Sequence, residues 1–405
     1  MEDTNGDLNS NPANSKTVAR RVWRYFFLLG FSYGPMAYSM ARRLFVDKLR
    51  LMTERDITDG IAVGEVMPGA ALVDFVSYLG FLLRRVRGSF LAMLLFILPS
   101  FALMVLLSFL YLKFGELSLV RVVLRGLSAI MIALIIKVVI DIYRSGVKEP
   151  KFLSASAVAL FLLVLDVNIV IILVVGVLGT IGYGMFSKQL IRKKGRRLLP
   201  TAGEVKDYVR VNIWILWSLS LLVIVNASIY FFAPPVAIMN GVLFKIGLLT
   251  FGNGYTMLPF IYKEVVLNFH WLTPKEFSDG IVLGQITPGP VVITATFIGY
   301  KVAGLFGAAT ATLSIFLPST ILVTLAAGSF VKYKDSKWAE FAMKGVLSSF
   351  IGLLILVVAQ LARQNITDYK TALFALAAVV LFVYTEINPI ILLAAGIVAS
   401  LLFLR

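Results

Sequence analysis

The chain has 405 residues, of which 59% are hydrophobic and only 15% charged, with a net charge of +16 and no cysteine. A mean hydropathy of +0.89 lies far above that of ordinary soluble chains, and the missing cysteines exclude disulfides, thiolate metal sites and cysteine nucleophiles. Much of the positive charge sits in short loops beside apolar stretches, the distribution that membrane topology produces, so nucleic acid is not an expected partner.

Residues 1–19 are polar, lack the apolar core of a signal peptide and read as a disordered cytoplasmic tail. Apolar stretches then recur along the chain. Those at 88–111, 122–142, 213–232 and 305–330 reach the roughly 20 residues that carry a helix across a bilayer. They do not alternate in polarity, which sets aside a β-barrel. The expected fold is an all-α polytopic membrane protein.

The same segments appear twice. "LLGFSYGPMAY" at 28–38 is matched by "LLTFGNGYTML" at 248–258, and "LMTERDITDGIAVGEVMPG" at 51–69 by "WLTPKEFSDGIVLGQITPG" at 271–289. "FILPS" at 96–100 answers "IFLPS" at 315–319, and Asp166-Val167-Asn168 answers Glu386-Ile387-Asn388. The offset stays at 219 or 220, which marks a tandem duplication. The first repeat is placed at 20–186 and the second at 240–405. Between them, 187–239 holds a basic cytoplasmic loop and a linker transmembrane helix. If each repeat crosses the membrane an even number of times, the linker turns the second repeat over. Charge agrees: the loops at 42–55, 84–87 and 144–151 are basic in the first repeat, whereas in the second the bias moves to Lys332, Lys334, Lys337 and Lys344. Two inverted-topology repeats are the mark of many secondary transporters. The expected location is the inner cell membrane with a cytoplasmic N-terminus. The basic residues of 42–55 favour a re-entrant path for the first glycine-broken helix over a crossing one.

Both repeats break a helix at Pro-Gly. Proline removes a helical hydrogen bond and glycine admits positive φ, and irregular backbone at membrane depth is tolerated only where protein or a water-filled cavity covers it. Half-helices at 57–67 and 69–83, and at 277–287 and 289–301, would point free N–H groups and positive dipole ends at a small anion. Met67, Pro68, Gly69 and Ala70 form one expected binding segment, and Thr287, Pro288 and Gly289 the other. Ser32, Tyr33 and Gly34, with Gly252, Asn253 and Gly254, break the preceding helices and add backbone approach and side-chain donors. Lys245 offers a fixed positive charge near this path. Glu65, matched by neutral Gln285, gives an asymmetry suited to proton coupling; the alternative is that Glu65 pairs with Arg84 or Arg85 in a cytoplasmic vestibule. Lys137 and Asp141 are expected to pair along one helix. Asp74, Asp166 and Glu386 rank behind these, and His270 reads as a surface residue. No zinc-protease, nucleophile-elbow or phosphate-loop motif is present, so no catalytic role, metal or cofactor is expected.

The twin "FSYGPM" and "FGNGYTMLP" runs, the "VMPGA" and "ITPGPV" breaks and the "LPS" elements resemble the chromate ion transporter family in its long two-domain form, over nearly the whole chain. That resemblance implies a tetrahedral dianion, chromate, exported from the cytoplasm to give chromate resistance. The expected function is therefore a secondary active exporter coupled to the proton gradient. Its expected partners are chromate or sulfate, protons, the lipid bilayer and, in a homodimer, a second copy. A transporter of sulfate or another anion, an uncoupled anion channel and an intramembrane enzyme are the alternatives.

Overall fold

A computed structural model describes residues 22–147, 149–187, 220, 223–251, 254–327, 337–385, 387 and 389–404. These are helical throughout, with one isolated bridge between Pro68 and Phe251 and no strand among them. The first repeat comprises α1 (22–29), α2 (Gly34–Arg42) continued by a π turn (Arg43–Lys48), α3 (Glu54–Val66), α4 (Ala71–Phe114), α5 (Ser118–Gly146), α6 (Pro150–Val164) and α7 (Ile169–Phe186). The linker contributes α8 (Val223–Phe232). The second repeat returns the same series: α9 (Pro234–Leu249), α10 (Leu258–Ile261) with its π turn (Tyr262–Asn268), α11 (Pro274–Ile286), α12 (Thr294–Ala326), α13 (Lys337–Asn365), α14 (Tyr369–Tyr384) and α15 (Pro389–Phe403). Five helices among the described residues are long and apolar enough to cross a membrane.

Local chemistry sets the boundaries. Thr53 and Thr273 close matched capping boxes with Asp56 and Glu276, each satisfying orphan N–H groups at the start of α3 and α11. α4 and α12 each contain a reversal, at Arg84-Arg85 (φ −142° then +53°) and at Ala303-Gly304 (φ −150° then +58°). Small residues let the two limbs touch. A Cβ on Gly80 would lie 2.6 Å from the Ala92 Cβ, and one on Gly299 would lie 2.6 Å from the Ala311 Cβ. The same turn carries arginines in one repeat and none in the other, as expected if the two turns face opposite sides of the membrane.

The chain also folds back at each Pro-Gly break. Gly60 packs on Phe75 and Tyr78, and Gly64 on Ala71, so α3 runs antiparallel to the first limb of α4. The glycine-broken helix before it does likewise. Phe26 packs against Phe45 with tilted rings 5.0 Å apart, and Lys48 lies over the Tyr25 ring. Lys245 on α9 pairs with Glu264 on the matching π turn at 2.8 Å. Each repeat therefore opens with two helical hairpins.

The repeats are inverted, as the pairing of equivalent helices demonstrates. On the second limbs of α4 and α12, Thr320 donates to Met93 Sδ at 2.8 Å and Thr324 to Ser89 Oγ at 3.2 Å, which sets the two helices antiparallel. The outer layers interlock in the same way. Thr180 on α7 donates to the Phe341 carbonyl on α13 at 2.9 Å, while Gly126 on α5 packs against Ser400 on α15. Small and hydroxylated residues allow this close approach where apolar attraction between helices is weak.

Candidate functional site

Met67 (φ −76°, ψ 145°) and Thr287 (φ −74°, ψ 134°) leave their helices in extended conformation, because the proline that follows each disfavours the helical region. The next glycines take φ of +145° at Gly69 and +103° at Gly289, values that side chains with a Cβ rarely adopt. Those two residues make the hairpin tips.

Each tip is braced by the other repeat. Gly69 N–H donates to the Thr250 carbonyl at 2.7 Å, and Ala70 N–H to Ser319 Oγ at 3.0 Å. In the second tip Ser100 Oγ donates to the Pro288 carbonyl at 2.6 Å, and a Cβ on Gly289 would lie 3.5 Å from the Gly30 carbonyl. Ser100 and Ser319 are the serines of the two "LPS" elements, and Gly30 and Thr250 are likewise repeat-mates. A pseudo-two-fold arrangement thus brings four segments together that are far apart in the chain.

Two tyrosines enter the same cluster. Tyr33 OH donates to the Gln285 carbonyl, and Tyr255 OH to Gln285 Oε1 at 3.0 Å. Gln285 is 3% exposed, and its Nε2 has no acceptor. A buried donor left unpaired costs about 1–3 kcal/mol, which an oxygen of a bound anion would offset. The Gly289 N–H also has no partner among the described residues. In the first tip, by contrast, the N–H groups of Gly69 and Ala70 are already engaged, so the free donors lie mainly on the second repeat.

The family model for chromate transporters matches residues 21–183 and again 238–401. The chain belongs to the chromate transporter family. Among curated relatives, a chromate transport protein of Cupriavidus metallidurans is 30% identical over 94% of this chain and 91% of its own length. A probable chromate transport protein of Synechococcus elongatus is 30% identical over 94% and 93%. An uncharacterized transporter of Methanocaldococcus jannaschii is 27% identical over 95% and 94%. No solved structure matches. Chromate transport across a membrane is thus the activity of the family, and the two matched stretches are the two inverted repeats.

Within this transporter, Ser32 is buried beside the tips and donates to the Leu29 carbonyl at 2.5 Å. Gly34 and Gly254 take φ of +40° and +85° at the first-hairpin tips, and Thr287 Oγ1 bonds back to the Gly284 carbonyl at 2.8 Å. Gly252 and Asn253 lie outside the described residues, as does Glu386. Lys245 is drawn into its ion pair with Glu264 and is 45% exposed, so its charge is neutralised locally. Glu65 is exposed, and no ion pair joins it to Arg84, which lies over the Trp23 ring. Lys137 and Asp141 do pair, at 2.5 Å, and His270 is exposed. Asp74, a lower-ranked candidate in the sequence, has its side chain wholly buried against the first tip. In sequence it stands in the first turn after the Pro-Gly break.

Proposed function

We propose that this protein is a secondary active exporter of chromate, coupled to the proton gradient, that confers chromate resistance. Gln285 Nε2, Gly289 N–H and the first-hairpin tip around Tyr33 form the anion site in this reading. Pro68, Gly69 and Ala70 hold the opposing wall. The observation that carries it is the unpaired, buried Gln285 Nε2, set where two cross-braced hairpin tips meet. A small tetrahedral anion supplies acceptors in several directions, which suits donors gathered from different elements. Export of a dianion is also favoured by an inside-negative potential, by about 4.6 kcal/mol per 100 mV for two charges. The N-terminus and the basic loop after α7 then lie in the cytoplasm.

Radiolabelled chromate uptake into inverted vesicles, with and without imposed pH and potential gradients, tests this. Saturable, gradient-dependent accumulation that sulfate competes and nitrate does not is the expected result. Flux that is linear in chromate, with a conductance beyond about a thousand ions per second, would indicate a channel. No chromate flux above that of empty vesicles would end the proposal.

A further inference from the structure

Asp74 lies in the first turn of α4, directly after the first Pro-Gly tip. Its side chain is 0% exposed, and among the described residues the Ser319 hydroxyl is the group poised to donate to its carboxylate, with no cation beside it. A Cβ on Gly69 would lie 2.7 Å from both oxygens, so the carboxyl group rests against the tip backbone itself. Around it, α12 presents Ser319, whose Oγ already accepts from Ala70 N–H and whose hydroxyl hydrogen remains to face the acid. Tyr38 approaches from α2, and Glu65 is the other carboxyl group on that side, on α3 and exposed. No ion pair reaches Asp74 among the described residues. At the offset of 220 the second repeat has Thr294, a neutral hydroxyl that donates to the Val291 carbonyl at 3.0 Å.

An ionised carboxylate in this setting is buried away from bulk solvent and has no counter-ion, whereas the neutral acid carries no such penalty. The cost grows when a dianion occupies the neighbouring tips, because like charges repel strongly where little water screens them. We propose that Asp74 is a proton-binding site that loads together with the oxyanion. A proton from bulk water joins a carboxylate oxygen as the anion binds, and returns to water as the anion leaves. This rests on the reading that the tips hold an oxyanion. By reciprocity, anion binding strengthens proton binding and protonation strengthens anion binding. Proton and anion therefore travel in the same direction: each exported chromate carries one net negative charge outward, so the co-moving proton halves the help from the potential to about 2.3 kcal/mol per 100 mV, and an inward proton gradient opposes export.

The test is chromate binding to the purified full-length protein by titration calorimetry, in buffers of different ionisation enthalpy, at intervals across the whole pH range in which the protein stays folded. Binding that takes up a proton weakens as pH rises, by up to about tenfold per pH unit for one proton. Wild type should take up close to one proton per chromate over part of this range. Asp74→Asn, a neutral near-isostere, should take up none and bind with an affinity independent of pH. In proteoliposomes Asp74→Asn should keep chromate–chromate exchange and lose movement driven by a pH gradient. Ser319→Ala, which removes the hydroxyl beside the carboxylate, should shift the pH dependence of binding upward and keeps the idea testable if Asp74→Asn fails to fold. Several outcomes would overturn the proposal: no proton uptake by wild type, uptake unchanged in Asp74→Asn, or loss of uptake in Glu65→Gln alone. Dependence on sodium in place of protons would make this a metal-cation site and would equally overturn it. If neither chromate nor sulfate binds at any pH, the anion site itself is misassigned and this inference falls with it.

Discussion

Gly289→Ala should separate the two forces that hold the second tip. At φ +103° any residue with a Cβ carries backbone strain of about 1–3 kcal/mol. The new methyl would also collide with Ser100 Oγ and sit 3.2 Å from Ser100 Cβ. Moving Ser100 breaks its 2.6 Å bond to the Pro288 carbonyl, which adds about 1 kcal/mol. The total, about 2–4 kcal/mol, displaces the tip, and chromate flux should fall at least about tenfold. Ser100→Ala alone should cost about 1 kcal/mol. The double variant should be less destabilised than the sum of the singles by about 1 kcal/mol, since the collision and the lost bond are then counted once. Denaturant unfolding in mixed micelles gives the stabilities and proteoliposome flux gives the activity. Additive costs, within about 0.3 kcal/mol, would mean that Ser100 does not brace this tip and that the cross-repeat geometry is wrong.

Gln285→Leu should weaken chromate binding by about tenfold to a hundredfold with the fold intact, because it removes one buried donor; unchanged affinity in direct binding would take Gln285 out of the site. With no native cysteine, single cysteines at positions 48 and 268, which are repeat-mates, should react with an impermeant thiol reagent from opposite sides of the membrane, and labelling from one side would contradict the inversion. Lys263 holds the exposed Asp166 carboxyl below its usual value through a hydrogen bond and charge. A carboxyl depressed in the folded state contributes stability above its unfolded value and loses it as pH falls through the folded one. Lys263→Met should therefore lower stability near neutral pH, and the gap from wild type should close progressively below about pH 4; a gap that persists at acid pH would assign the effect to packing.

The sequence by itself determined the membrane class, the duplication and the positions of all four breaks. These signals are local or periodic: apolar length, proline and glycine at a fixed offset, and arginines gathered in one copy of a turn. The paired Lys137 and Asp141 were legible for the same reason, since they lie four residues apart. What a break does to the direction of the chain was not legible. Pro-Gly permits an in-line kink or a reversal, and the choice falls to packing, here Gly60 and Gly64 admitting the returning limb of α4. Nor could local pattern pair Ser100 with Pro288 or Tyr33 with Gln285, contacts closed between residues 188 and 252 positions apart. Burial separated the charged candidates. Lys245 and Glu65 stand out in sequence because they interrupt apolar runs, yet the fold gives one a counter-ion and the other solvent. Asp74 looked like one more acid near a helix start, and only the tertiary structure encloses it against a tip with no counter-ion, because enclosure is made by residues such as Ser319 of α12, 245 positions away.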